Sequence, residues 1–303
     1  MFEKVEINMS RVGIVSCDKW INRLEEDINL RDALNELGID TEIISWQKPL
    51  KKEYDLLLLK SVWGYQNYYD EFKKWLVYLK NNNICLLNDV DMILDNIRKD
   101  IQFGILKAND VEIIDTYFLK YDDLLDNSLL DSTSYVVKPS ISGSGDNTFL
   151  VNNSDVDTNN IIKKEEISRI FKPLLDDNED CRVMIQPYVD QINDGEYSCI
   201  FIEGKLTHTM IRFPSIFHEK KRPYLIREVP DSITTLAHNI EKISEFNNYL
   251  YMRVDMVMVD QKPIVMEVEL ADPDLLTKYI EDKDKKEEVI KTFAKRIEGR
   301  VKR

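Results

Sequence analysis

The chain is poor in the residues that most often announce a reaction. Its 303 residues hold only four cysteines and three histidines. Cys17, Cys85, Cys181 and Cys199 are widely scattered and form no CxxC pair. Thiols in a reducing cytosol fit this better than a disulfide framework or a zinc site. His208, His218 and His238 show no ligand spacing, and only His208 is placed to face a cleft. No Ser-His-Asp or Cys-His set is evident, so a protein nucleophile is not expected. Positive charge is in deficit, with a net charge of −14. Such a field repels backbone phosphates and disfavours a general nucleic-acid binder, although a local cationic pocket can still receive a small anion. No run approaches the ~18 apolar residues of a membrane helix. Acidic residues interrupt any signal-peptide core in MFEKVEINMSRVGIV. The expectation is a soluble cytoplasmic protein with neither a membrane nor a nucleic-acid partner.

What is present is a core-forming composition. The chain is 43% hydrophobic, with 14 Tyr and 11 Phe, which argues against disorder. Its length suits two or three packed lobes. Strands are expected at Val12–Ser16, Thr41–Ser45, Tyr54–Leu59 and Ile84–Leu87, with helices at Asn29–Leu37 (closed by Gly38) and Phe72–Leu79. Continuous apolar strands alternating with helices predict a parallel α/β lobe over 1–90. A smaller α+β lobe follows over 91–184. It has a helix at Asp91–Leu106, strands at Tyr117–Leu119, Tyr135–Lys138 and Phe149–Val151, and a helix at Ile162–Leu175. A larger, mostly antiparallel lobe is expected over 185–303. A ligand cleft belongs between the second and third lobes, since sites favour such interfaces.

The segment YMRVDMVMVDQKPIVMEVELADPD reads as a hairpin. Side chains alternate along a strand, so Arg253 shares a face with Asp255, and Glu267 with Glu269. A three-residue loop centred on Gln261 places Asp255 opposite Glu267 and Arg253 opposite Glu269. Facing acids destabilise a sheet, and their neighbours are apolar. A divalent cation resolves the conflict, and three carboxylates suit Mg²⁺. Taken alone, the hairpin is equally an exposed edge with solvated acids.

Other signals accompany it. Lys138 ends an apolar strand directly before the loop SISGSGDNT, whose backbone N–H groups suit phosphate oxygens. The loop has neither P-loop order nor a following helix, so it is not a nucleotide fingerprint by motif. Lys99 on the preceding helix is placed to reach the same phosphates. Gln186 precedes Pro187, where a missing ladder partner leaves backbone free for an adenine edge. Glu196 opens the next strand near a ribose or a cleft rim, and Arg212 is positioned for a phosphate or carboxylate.

Together these residues resemble the ATP-grasp superfamily, and within it the glutathione-synthetase-like branch that includes D-cycloserine synthetase. The resemblance rests on Ser61-Val62-Trp63-Gly64-Tyr65, Asn88 with Asn96 to Lys99, Tyr135 to Gly145, Val183 to Val189 with Glu196, Arg253 to Asp255, and MEVELADPDL. Lys60 and Gly64 depart from the branch pattern, as do Asp272 and Asp274, which stand where Glu and Ser are usual. The implied fold is ATP-grasp with a Rossmann-like N-terminal lobe. The implied roles put Lys99 and Lys138 on ATP phosphates, under a loop of Ser142, Gly143, Ser144 and Gly145. Gln186 and the Tyr188–Val189 backbone meet adenine, and Glu196 lies near the ribose. Asp255, Glu267 and Glu269 hold two Mg²⁺ ions, with Mn²⁺ as a substitute. Arg253 and Arg212 serve the γ-phosphate and the substrate carboxylate. The implied activity is an ADP-forming carboxylate–amine ligase acting through an acylphosphate on a small amino-acid-like substrate. A phosphotransferase without ligation and a nucleotide-binding scaffold are the rivals. The resemblance favours a homodimer.

Overall fold

The computed structural model describes residues 9–120, 134–143, 145–152, 161–162, 166–176, 178–213 and 221–302. Three sheets organise them. The first is parallel, ordered β2-β1-β3-β4, from β1 (Arg11–Ser16), β2 (Asp40–Ser45), β3 (Leu56–Ser61) and the short β4 (Leu86–Leu87). Every residue of β3 is buried, which is why its sequence is a continuous apolar run. Gly13 lets β3 pack closely, since a Cβ on it would meet Leu57 Cδ2 at 2.6 Å. Helices α1 (Glu25–Glu36) and α2 (Tyr69–Asn81) cover this sheet, and α2 buries Phe72, Leu76 and Leu79 as its spacing predicts. Helix α1 begins before the expected Asn29. Its first turn is Glu25-Glu26-Asp27, acids that the helix dipole favours but that carry no apolar period.

The expected helix over Asp91–Leu106 is two: α3 (Val90–Asn96) and α4 (Lys99–Ala108). The chain is extended at Arg98, with φ −95° and ψ 99°. Isoleucines at four-residue steps run across the break and conceal it in the sequence.

The second sheet has the order β5-β9-β6-β7-β8, from β5 (Tyr117–Leu119), β6 (Ser134–Pro139), β7 (Phe149–Asn152), β8 (Ile161–Ile162) and β9 (Val183–Pro187). Helix α5 (Ile167–Asp176) packs Ile167 and Phe171 against Tyr135, Val137, Val151, Val183 and Ile185. Ile162, expected to start that helix, belongs to β8 and pairs in parallel with β7.

The third sheet is ordered β12-β11-β10-β13-β14, from β10 (Glu196–Ile202), β11 (Lys205–Arg212), β12 (Tyr224–Ile226), β13 (Tyr251–Val259) and β14 (Lys262–Glu269). Strand β12 has no signal in the sequence reading. The Glu203-Gly204 turn forms as expected, with φ of 44° and 78°. Helix α6 (Asp231–Glu241) contributes Ile233, Ala237 and Ile240 to a core with Cys199, Met252 and Val254. Helix α7 (Lys283–Val301) brings Phe293 and Ile297 into a core that also holds Val12 and Ile14 of the first sheet and Ile200 and Tyr251 of the third.

The β13–β14 hairpin keeps the expected pairs by a different route. Asp260 and Gln261 form a two-residue turn, with Val259 opposite Lys262 and φ of 48° and 65°. The ladder then slips by one residue between Asp255 and Met256, leaving Met266 as the extra residue of a bulge. Beyond it Asp255 faces Glu267 and Arg253 faces Glu269.

Candidate active site

The site is built on β14, which is held along both edges. Among the described residues its outer edge pairs with no named strand, only with Ile113 in a single bridge to Val265. Instead Glu112 O accepts from Val265 N–H at 3.2 Å, Gln102 Oε1 from Val268 N–H at 3.0 Å, and Asn96 Oδ1 from Leu270 N–H at 2.9 Å. Asn96 Nδ2 donates to Val268 O at 2.8 Å, and Asn88 Nδ2 to Leu270 O at 2.7 Å. Each bond satisfies a buried backbone group that would otherwise cost about 1–3 kcal/mol. The same stitching orients α4. Three residues after Asn96, Lys99 Nζ stands 3.0 Å from Glu267 Oε1 and donates to Ser142 O at 2.9 Å.

Cross-strand partners on the third sheet bring complementary charges together. Glu196 faces Arg212, Ser198 faces Asp255, and Arg253 faces Glu269. Arg212 Nη2 donates to Glu196 Oε2 and to Asp255 Oδ2, both at 2.6 Å. Arg253 Nε donates to Asp255 Oδ1 at 3.0 Å, and Arg253 Nη2 stands 2.6 Å from Glu269 Oε2. Ser198 Oγ donates to Asp255 Oδ1 at 2.7 Å. Asp255 is thus wholly buried with both oxygens engaged. Asp255 and Glu267 are ladder partners, but Asp255 serves the two arginines rather than meeting Glu267 and Glu269 around a common point. Among the described residues, no three His, Cys, Asp or Glu side chains stand together so as to hold a metal ion.

Burial and neighbouring charge divide the ionisable groups. Burial pushes Glu196 up to about 7, against the pull of Arg212. It drives Lys138 down to about 8, and Lys99 adds like-charge repulsion. Glu267 goes the other way. Burial would raise it, but Lys99, then Lys138 and Arg253, hold it at about 2. Glu269 is raised by burial, with Arg253 opposing and Glu267 and Asp255 reinforcing the rise.

A cleft of about 830 Å³ collects these groups. Lys99, Lys138, Ser142, Gly143, Gly145, Gln186, Tyr188, Val189, Glu196, Arg212, Arg253, Glu267 and Glu269 all line it. Ser144 lies outside the described residues. Gln186 is buried, and its Nε2 donates to Thr116 Oγ1 at 2.9 Å. One expectation is corrected here. Tyr188 N–H donates to Ser134 O at 3.0 Å, so the ladder runs past Pro187 and that donor is not free for a ligand.

Comparison with known proteins identifies the fold. Residues 12–88 match the family described as the N-terminal domain of D-cycloserine synthetase DcsG. The crystal structure of D-cycloserine synthetase DcsG is similar with a TM-score of 0.79 at 18% identity, over 96% of this chain and 100% of that one. The ATP-grasp ligase PsnB, complexed with a phosphomimetic variant of its minimal precursor, Mg and ADP, gives 0.62 at 10% identity, over 97% and 99%. The chain has the ATP-grasp fold. D-alanine–D-alanine ligase from Bacillus anthracis, complexed with ATP, is similar at 0.64 and 17% identity, over 96% and 99%. Comparison with curated protein sequences gives no match.

The ATP-grasp cleft also contains residues that carried no assigned role in the sequence reading. Trp63, Tyr65 and Gln66 enter from the first lobe, and Gln66 Nε2 donates to Asp146 Oδ2 of the glycine loop at 2.7 Å. Met266 lines the cleft from its bulge, a position that strict alternation cannot reveal. Asp272 and Asp274 line it as well; their only signal was departure from the branch pattern.

Proposed function

We propose that this chain is an ATP- and Mg²⁺-dependent carboxylate–amine ligase that releases ADP and phosphate. The observation that carries the reading is the convergence in one cleft of two lysines, Lys99 and Lys138, with Glu267, Glu269 and Arg253. In the free fold Lys99 pairs with Glu267 and Arg253 with Glu269, but buried Lys138 still stands beside a like charge, and so does Glu269. A polyphosphate with a divalent cation relieves both.

Glu267 and Glu269 fit the cation's needs. They are hard oxygen donors with exposed fractions of 31% and 23%, and Mg²⁺ is commonly held by one or two carboxylates together with substrate phosphates. Held by Glu267 and Glu269, such an ion would offset the negative charge of the phosphates. The chain's own residues do the rest. Lys138 and Lys99 hold the phosphates as point charges, and the loop Ser142–Asp146 covers them and excludes water. Gln186 and the Val189 backbone meet the base, and Glu196 stands by the ribose. Arg253 and Arg212, locked on Asp255, present preorganised positive charge to the transferring phosphoryl group and to the substrate carboxylate.

In the reaction, a carboxylate oxygen of the substrate bonds to the γ-phosphorus as the bond to the β-phosphate oxygen breaks, giving an acylphosphate and ADP. A nitrogen nucleophile then bonds to the acyl carbon, phosphate leaves, and the nitrogen gives up a proton. Positioning and charge neutralisation suffice, which suits a chain without an evident nucleophilic set.

The test is nucleotide turnover on a panel of amino acids and dipeptides, with the product identified by mass. ADP release should require both a carboxylate and an amine. Glu267→Gln should lower kcat by roughly 100-fold or more. ADP release that needs no amine, or an unaltered rate in Glu267→Gln, would sink the reading.

A further inference from the structure

Beyond the phosphate-binding groups, the cleft has an end that the mechanism above leaves unused. It is formed by the turn after β14 and by the loop after β3. Asp272 and Asp274 come from the first, and Trp63 and Tyr65 from the second, with Leu276 and Tyr279 completing it. Asp272 is 2% exposed, and its Oδ2 has no hydrogen-bond partner among the described residues. A buried carboxylate oxygen without a donor is costly, so its retention at a cleft wall points to a ligand that supplies one.

The charge around it points the same way. The nearby cations are already matched. Lys60 Nζ stands 2.6 Å from Glu26 Oε1, Lys278 Nζ 3.4 Å from Asp274 Oδ2, and Arg253 is held between Asp255 and Glu269. Glu269, a like charge, lies within hydrogen-bonding reach of the Asp272 carboxyl. Acids outnumber free cations at this end, and an added cation relieves the repulsion. The remaining wall decides which kind. A divalent metal asks for an oxygen shell, whereas Trp63, Leu276 and Tyr279 also line this cleft and add carbon and aromatic rings, surroundings that suit an ammonium group.

We propose that this end of the cleft seats a primary ammonium group of the substrate, with the unpaired Oδ2 of Asp272 as its principal acceptor and Asp274 as the second charge. The inference rests on the ligase reading and deepens it: the donor is an amino acid or peptide whose carboxylate faces Arg253 while its ammonium lies against Asp272. Lacking the ammonium, an otherwise equal acid leaves Asp272 unmatched and is rejected.

The experiment compares amino acids with their 2-hydroxy acid counterparts (alanine with lactate, serine with glycerate, in both configurations) and dipeptides with their N-acetyl forms. Binding is measured by calorimetry on the full chain with Mg²⁺ and a non-hydrolysable ATP analogue. Turnover is measured with ATP and hydroxylamine as nucleophile. The amino form of the best ligand should bind roughly 10- to 100-fold more tightly than its ammonium-free partner. Asp272→Asn should collapse that ratio toward one, and Asp274→Ser should reduce it. A thermal melt checks folding, and Asp272→Glu, which keeps the charge, should retain preference for the amino form. Equal binding of the two forms overturns the ammonium seat while leaving ligation intact. So does an Asp272→Asn variant whose Mg²⁺ requirement shifts while the ratio stays, because that makes Asp272 a metal ligand. ATP turnover or analogue binding that fails for every acid overturns the ligase reading itself, and the seat with it.

Discussion

Lys138 gives the cleft its clearest pH signature. Burial and the neighbouring Lys99 lower its ammonium to about 8, so the free fold disfavours the charged form that phosphates need. As pH rises through that value, charge is lost and nucleotide binding weakens. The KM for ATP should rise roughly tenfold between pH 7 and 9, the factor that a pKa near 8 implies for one required proton. In Lys138→Arg the guanidinium stays charged, and that rise should vanish. Initial-rate measurements at saturating Mg²⁺ decide it. At this scale the sequence was most legible where charge stands on an apolar strand. Lys138, Arg253, Glu267 and Glu269 could all be singled out and all line the cleft. Asp255 was singled out for the same reason, yet the arginines on its own face cover it. Strand alternation gives a side chain its face but not its partner, and two arginines from different strands claimed it.

At the scale of elements, the hairpin shows how a correct pairing can come from an incorrect loop. A three-residue turn and a two-residue turn followed by a bulge bring the same acids opposite each other. Chain length between the strands cannot distinguish them. Because the bulge sets the pairing of Glu267 and Glu269, the turn is free to vary. Asp260 and Gln261 both adopt left-handed φ, which favours Asn-Gly at these positions. Replacing the pair with Asn-Gly should raise stability by about 0.5–1 kcal/mol with turnover unchanged, as read by chemical denaturation and steady-state rates. The break between α3 and α4 illustrates the converse. Apolar periodicity argued for one helix, but the amide of Asn96 and the backbone of Lys99 are bonded elsewhere, to β14 and to Ser140. Asn96→Ala orphans Val268 O and Leu270 N–H, so it should cost about 2–4 kcal/mol. It should also raise the KM for ATP, because Lys99 loses its anchor three residues away.

Across the whole molecule, a parallel sheet followed by antiparallel strands could be read along the chain, while the packing that joins the sheets could not. The first and third sheets share a core in which Phe293 of α7 lies against Tyr251, ring centroids 5.1 Å apart. Contacts so distant in sequence leave no local pattern. Phe293→Ala should therefore cost about 3–5 kcal/mol and lower the melting of both lobes together, a single displaced transition in calorimetry. The stitched outer edge of β14 has a consequence for assembly. A bare strand edge is a template that recruits a further strand from another copy. Here Asn88, Asn96, Gln102 and the Glu112 backbone already occupy its donors and acceptors. The third sheet cannot be continued from one molecule into the next along that border. A homodimer is therefore not expected to form by strand addition along the hairpin that carries the acids.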